Sequence, residues 1–94
     1  MNHLGIDLDE LIDLLSRNHE ALFTWDGKKY MIQPDNNKLV FYRFFPEFSA
    51  ITQISLEDDP LVGEKRVKQI LSEKCLNGKS FLDLVDEIHV DEIF

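Results

Sequence analysis

The chain has 94 residues, 44% of them hydrophobic, and a formal net charge of −8 at neutral pH. That is room for one domain with a modest core, too apolar for disorder and too acidic to favour direct contact with a phosphate backbone. No run approaches the ~20 apolar residues that span a bilayer, Met1-Asn2-His3 has no signal-like character, and the lone Cys75 leaves no internal disulfide. Together these features give the expectation of a cytoplasmic protein with no membrane partner.

Asp7 opens a first helix, with Glu10 three residues on in a near capping-box arrangement. Leu8, Leu11, Ile12 and Leu15 then follow the spacing of one helical face. The helix is expected to end near Arg17-Asn18, because Asn accepts the left-handed terminal position.

The stretch Glu20–Phe45, EALFTWDGKKYMIQPDNNKLVFYRFF, reads as three antiparallel strands. Asp26-Gly27 between β-rich runs is the sharpest signal, since a type I′ hairpin turn needs positive φ at both central residues. Ala21, Phe23 and Trp25 alternate with Leu22 and Thr24 before it; Tyr30 and Ile32 alternate with Lys29, Met31 and Gln33 after it. Pro34-Asp35-Asn36-Asn37 is expected to be the second break. The run Leu39–Phe45 is apolar or aromatic on both faces, so either both are covered or one carries an exposed aromatic patch.

Pro46 bends the chain into an expected fourth strand, Phe48 to Leu56, in which Phe48, Ala50, Thr52, Ile54 and Leu56 share a parity that Ile51 interrupts. Asp59-Pro60 reads as N-cap and first helical position. Val62, Val67, Ile70 and Leu71 share a face of that helix, which is expected to run through Leu76. Leu76-Asn77-Gly78 forces a turn. Ser80 with Asp83 opens a last short helix with Phe81, Leu84, Val85 and Ile88 inward. The tail His89–Phe94 alternates and is compatible with an edge strand, a tether or frayed chain. The expected architecture is one α+β domain over residues 1–94, an antiparallel three- to four-stranded meander with helices packed on one face, in the order α-β-β-β-β-α-α.

Two stretches carry a likeness. Phe23-x-x-Asp26-Gly27-Lys28-x-Tyr30-x-Ile32, followed by Asn77-Gly78-Lys79-Ser80-Phe81 and Leu84 through Glu87-Ile88, resembles a loose set of small proteins of Gram-positive bacteria and their prophages. Those proteins pair an F-x-x-x-G-K-x-Y-x-I hairpin with a terminal G-K-S-L…D-E-I helix. The motifs are structural, so the resemblance implies the fold and brings no activity with it. The chain departs from the pattern between Phe45 and Cys75, where it carries a longer strand-plus-helix insert.

Chemistry is sparse. There is no glycine-rich phosphate loop and no Gly-x-Ser-x-Gly elbow. Cys75 with His89 is a nominal nucleophile–base pair, but Cys75 falls near an expected helix C-terminus, and a small core thiol is the plainer reading. His3, His19 and His89 lack zinc-site spacing, and His89-Val90-Asp91-Glu92 offers too few ligands for a closed site. No metal, cofactor or catalytic residue is assigned, and the chain is read as non-enzymatic.

Two surfaces remain as partner-binding candidates. One is aromatic: Trp25, Tyr30, Tyr42 and Phe44, on the sheet face away from the helices or along an edge. The other is acidic: Asp83, Asp86, Glu87, Asp91 and Glu92, in a segment with no Lys or Arg. The first implies a protein partner, with a homodimer through the aromatic face as one form of it. The second implies a nucleic-acid mimic, an inhibitor or antitoxin of prophage type; solubility alone also accounts for such acids.

Overall fold

A computed structural model describes residues 4–56 and 62–94. Its centre is set by two turns in which both residues have positive φ, Asp26 (52°) with Gly27 (73°) and Asn36 (48°) with Asn37 (61°). Such pairs form type I′ turns, whose twist matches that of paired strands. They link β1 (Ala21–Trp25), β2 (Lys28–Asp35) and β3 (Lys38–Phe45) into an antiparallel meander. β4 (Ser49–Ser55) adds to β3 after a bend at the cis Phe45-Pro46 peptide. β5 (His89–Ile93) pairs with β1, giving a five-stranded sheet of order β4-β3-β2-β1-β5.

The second turn is tighter than expected. Pro34 does not break the strand; it stays in β2 opposite Leu39, and the turn contracts to Asn36-Asn37. The β1–β2 ladder ends at Ala21 and Ile32, so Pro34 has a strand on one side only, the setting in which its missing donor is tolerated. An Asn37→Ala change keeps the position but loses the residue type that tolerates positive φ. Urea unfolding is expected to register a loss of about 1 kcal/mol.

α1 (Leu8–Ser16) buries Leu11, Ile12 and Leu15, as its spacing predicts. It closes at Asn18 (φ 68°), where the His19 amide donates to Leu14 O and the Asn18 amide to Leu15 O, both at 3.2 Å, a Schellman motif. The same corner receives α2 (Glu64–Leu71): the Gly63 amide donates to Ser16 O (3.0 Å) and the Val62 amide to Asn18 Oδ1 (3.0 Å). The expected Asp59-Pro60 helix start lies outside the described residues. Val62, Val67, Ile70 and Leu71 are all buried. The helix stops at Leu71 rather than Leu76, and the Ser72 hydroxyl turns back to Lys68 O at 2.7 Å. Leu76 instead pairs with Lys79 around Asn77-Gly78.

The last expected helix is corrected too. Ser80 and Asp83 do form a reciprocal cap, with the Ser80 amide on Asp83 Oδ2 (3.0 Å) and the Asp83 amide on Ser80 Oγ (3.1 Å). Beyond it, residues 81–87 are a run of turns. The Leu82 amide donates to Leu71 O (3.1 Å), satisfying a C-terminal carbonyl of α2, and the Leu84 and Glu87 amides donate three residues back, to Phe81 O (3.1 Å) and Leu84 O (2.8 Å), the tighter spacing of turns. Phe81, Leu84 and Ile88 are still buried. The tail becomes β5, so the observed order is α-β-β-β-β-α-β.

All of this packs on one side of the sheet. Phe23 stacks on Tyr30 (centroids 5.3 Å apart, 13°) and meets Phe41 and Phe81 edge-on at 5.5 and 5.0 Å. Ala21, Ile32, Leu39 and Val90 complete the sheet's contribution to a core roofed by both helices and the 81–88 turns. No described helix is long and apolar enough to cross a membrane.

Candidate functional site

The register decides which residues the core takes and which it leaves. Phe23 faces Tyr30, Ile32 faces Phe41 and Pro34 faces Leu39, all on the helix side. The residues between them face the other way: Leu22 opposite Met31, Met31 opposite Tyr42, Tyr42 opposite Ala50, and Gln33 opposite Val40. Leu22, Met31, Val40 and Tyr42 are only half-buried and do not belong to the core, and no described segment lies over them. The doubly apolar β3 is therefore resolved as one sealed side and one open side.

A β-bulge enlarges the open side. Between Phe41 and Tyr42 the β3–β4 register shifts, so that Phe41 faces Thr52 while Tyr42 faces Ala50. Ile51 is the extra residue, and it packs against the core. This corrects the single parity expected for the fourth strand: Thr52 and Ile54 lie on the core side, Ala50 on the open side. Phe48, expected to be half-buried, is 71% exposed and leans on the Tyr42 ring (5.2 Å), which also meets Phe44 (6.3 Å). The Tyr42 hydroxyl donates to Met31 Sδ (3.1 Å), tying the ring to β2.

The rim is polar. Thr24 Oγ1 donates to Asp91 Oδ2 (2.6 Å), and Lys29 stands 3.9 Å from the same carboxylate. Burial, then the negative charges of Glu20 and Asp35, push the Tyr42 hydroxyl above the ordinary tyrosine value, so it remains a neutral donor. Glu92 lies opposite Leu22 at the β5 side.

The expected aromatic quartet is thus divided. Tyr42 and Phe44 lie on the open face. Tyr30 is 2% exposed inside the core, where burial pushes its hydroxyl up against the pull of Arg43. Trp25 is half-buried, packed on the core's edge and tilted toward Tyr30 (6.5 Å). Leu22, Met31, Val40, Ala50 and Phe48 complete the patch. Strand parity carries the signal for Leu22, Met31 and Val40 once the turn is placed at Asn36-Asn37; nothing in the periodicity reveals the bulge that brings in Phe48.

The acidic candidates are also divided. Asp83 holds the Ser80 cap and pairs with Lys74, and these bonds lower its carboxyl to about 2. Asp86, Glu87, Asp91 and Glu92 are exposed. For Asp83 the folded value lies below the ordinary one, so its contribution to stability is complete above pH 3.8 and lost as pH falls toward about 2. Acid unfolding curves of wild type and Asp83→Asn are expected to differ above that window and converge below it.

Burial pushes the half-buried Cys75 thiol up, away from the thiolate that nucleophilic chemistry needs. Among the described residues no group of His, Cys, Asp and Glu is placed to hold a metal ion, and no buried side-chain nitrogen or oxygen lacks a partner. Compared with known protein families, curated proteins and solved structures, the chain matches none.

Proposed function

We propose that this is a non-enzymatic, cytoplasmic protein-binding module whose working surface is the open sheet face. The observation that carries this reading is the Tyr42–Phe44–Phe48 cluster, continuous with Leu22, Met31 and Val40 and left uncovered by any described segment. An apolar patch with a polar rim is the usual form of a protein-docking site. Glu20, Asp35, Asp91 and Glu92 outnumber Lys29 and Lys38 around it, and the chain as a whole is at −8. The partner is therefore a protein with an apolar ridge flanked by basic residues. Four strands spaced about 4.8 Å and about seven residues rising about 3.3 Å each give a footprint of about 400 Å². That is half of the roughly 800 Å² per partner of a standard interface, so a single copy binds transiently.

The test compares proteins captured from a host lysate by wild type and by Tyr42→Glu and Phe48→Glu variants that keep the wild-type melting curve. A partner is expected to be lost with both variants, and the purified pair is expected to dissociate as salt rises. Equal capture by all three proteins would sink the reading. The alternative, in which the acids imitate phosphates, draws on Asp86 and Glu87 without Asp83, which is engaged by Lys74 and Ser80. It predicts loss of binding when Asp86 and Glu87 are neutralised, with the open-face variants unaffected.

A further inference from the structure

The open face is not evenly charged. On its β5 side Glu92 lies opposite Leu22. Glu20, joined to Phe94 by two backbone hydrogen bonds (3.2 and 2.8 Å), stands two residues before Leu22 and so shares its side. The Asp91 carboxylate is drawn to Thr24 on the same face. Among the described residues neither Glu20 nor Glu92 is in an ion pair. The Glu20 charge reaches across to Tyr42: after burial, it is the largest influence raising that hydroxyl. The opposite side differs. β4 carries no charged residue, and the flank there is the ridge of Phe44 and Phe48 against Tyr42. The two lysines sit at strand ends, each beside an acid, Lys29 by Asp91 and Lys38 opposite Asp35.

We infer that the occupant of this face is an amphipathic α-helix of a partner protein, laid along the strands with basic residues on one flank only, against Glu20 and Glu92. Its apolar stripe covers Leu22, Met31, Val40 and Tyr42. The inference rests on the reading of the open face given above and narrows its partner. Acids on one side and rings on the other match a rod whose charge is one-sided. A surface that is basic all round would press half of its charge onto Phe48 and β4, where it loses water and meets no counter-charge.

Size agrees. From the acids on β1 and β5 to the ridge beside β3 and β4 is about two strand spacings, about 10 Å, the width of a helix with its side chains. About seven residues of strand, about 23 Å, match about 15 residues of helix. A second copy would bring its own charge of −8 to an acidic rim. An extended peptide needs a backbone edge to pair with, which the face of a sheet does not offer.

The test uses fluorescein-labelled peptides of about 15 residues that share one leucine stripe. One carries lysines on a single flank, one splits the same lysines between both flanks, one has glutamates instead, and one adds central prolines to the first. Anisotropy at low salt reads affinity, and circular dichroism reads helix gained on binding. The one-flank peptide is expected to bind and gain helix, the split peptide to bind at least about threefold more weakly, and the other two not to bind. Glu20→Gln and Glu92→Gln are each expected to weaken the one-flank peptide about twofold to fivefold, an effect that fades as salt rises. Asp86→Asn, at an exposed position in the turns that roof the core, is expected to change nothing. Tyr42→Glu is expected to weaken binding at least about tenfold although it adds a charge that attracts lysine, so the loss reports the face rather than net charge. Thermal melts check that each variant folds.

Equal binding of the split or proline peptide, or no binding of the one-flank peptide, overturns the inference. So does a dimer of the free protein in sedimentation that Tyr42→Glu abolishes, which gives the face to a second copy. If a lysate partner is still lost with Tyr42→Glu and Phe48→Glu, the open face stands and only its helical occupant falls. Equal capture by all three proteins removes the reading of the face itself.

Discussion

Phe23→Ala is expected to cost about 3–5 kcal/mol, the range for removing a fully buried aromatic side chain. Total stability for a domain of this length is about 5–14 kcal/mol, so the variant loses between about a fifth and all of it. The size of the effect follows from position. Phe23 is 0% exposed and touches the rings of Tyr30, Phe41 and Phe81, tying β1 to β2, β3 and the turns that roof the core. Three separate segments would lose packing at once, and a cavity between a sheet and a backbone fixed by its own hydrogen bonds collapses poorly. Urea unfolding monitored by circular dichroism is expected to show the midpoint displaced by at least about 1.5 M, with a slope near 1–2 kcal/mol/M for a chain of this size. A displacement under about 1 M would mean that the roof can settle onto the sheet.

Ile32→Lys and Met31→Lys are expected to differ by about 4 kcal/mol or more, although the two positions are neighbours on β2. Ile32 is 1% exposed and faces Phe41 inside the core, where an ammonium finds no counter-charge and loses its hydration. The expected outcome is an unfolded or collapsed chain. Met31 lies on the open side, where a lysine stem can lie along Leu22 and Tyr42 while its charge reaches water. Its stability is expected to stay within about 1 kcal/mol of wild type. Thermal melts of the two variants measure the sidedness of the sheet directly, and similar melting points would contradict the open face.

Much of the architecture is legible because local chemistry and tertiary structure agree. Asp26-Gly27 dictates a turn of one type, Asn18 ends α1 as its tolerance of positive φ suggests, and the inward sets of both helices follow from spacing. The departures come where a distant group decides. Pro34 remains in a strand because β1 has already ended beside it, a fact about a neighbouring chain segment. The segment 81–88 has a capping box and a helical spacing, yet it closes in three-residue turns, Leu84 onto Phe81 and Glu87 onto Leu84, while the Leu82 amide holds it against Leu71 at the end of α2.

The candidate site shows the same division. Two-residue turns at Asp26-Gly27 and Asn36-Asn37 fix the sheet register, and that register alone places Tyr30 beside Phe23 and Tyr42 beside Met31. Placing the second break over Pro34–Asn37 leaves the register open, which is why Tyr30 joins Tyr42 and Phe44 in the expected patch. Trp25 shares the parity of Phe23 and belongs with the core by the same rule. The bulge at Ile51 is different in kind, since it depends on how β4 meets β3, and it alone accounts for Phe48 on the open face.

The pairing of β1 with β5 has a consequence for synthesis. β1 through β4 emerge in sequence and fold against their neighbours as each appears, but β1 must wait for residues 89–93 before its outer flank is sealed. Through that interval a nascent molecule displays the outer backbone rim of β1, and in a crowded polysome the missing ribbon can be supplied by a sister chain. Translation pauses between the emergence of β1 and that of residues 89–93 therefore prolong exposure to strand exchange, whereas pauses before β1 is made do not.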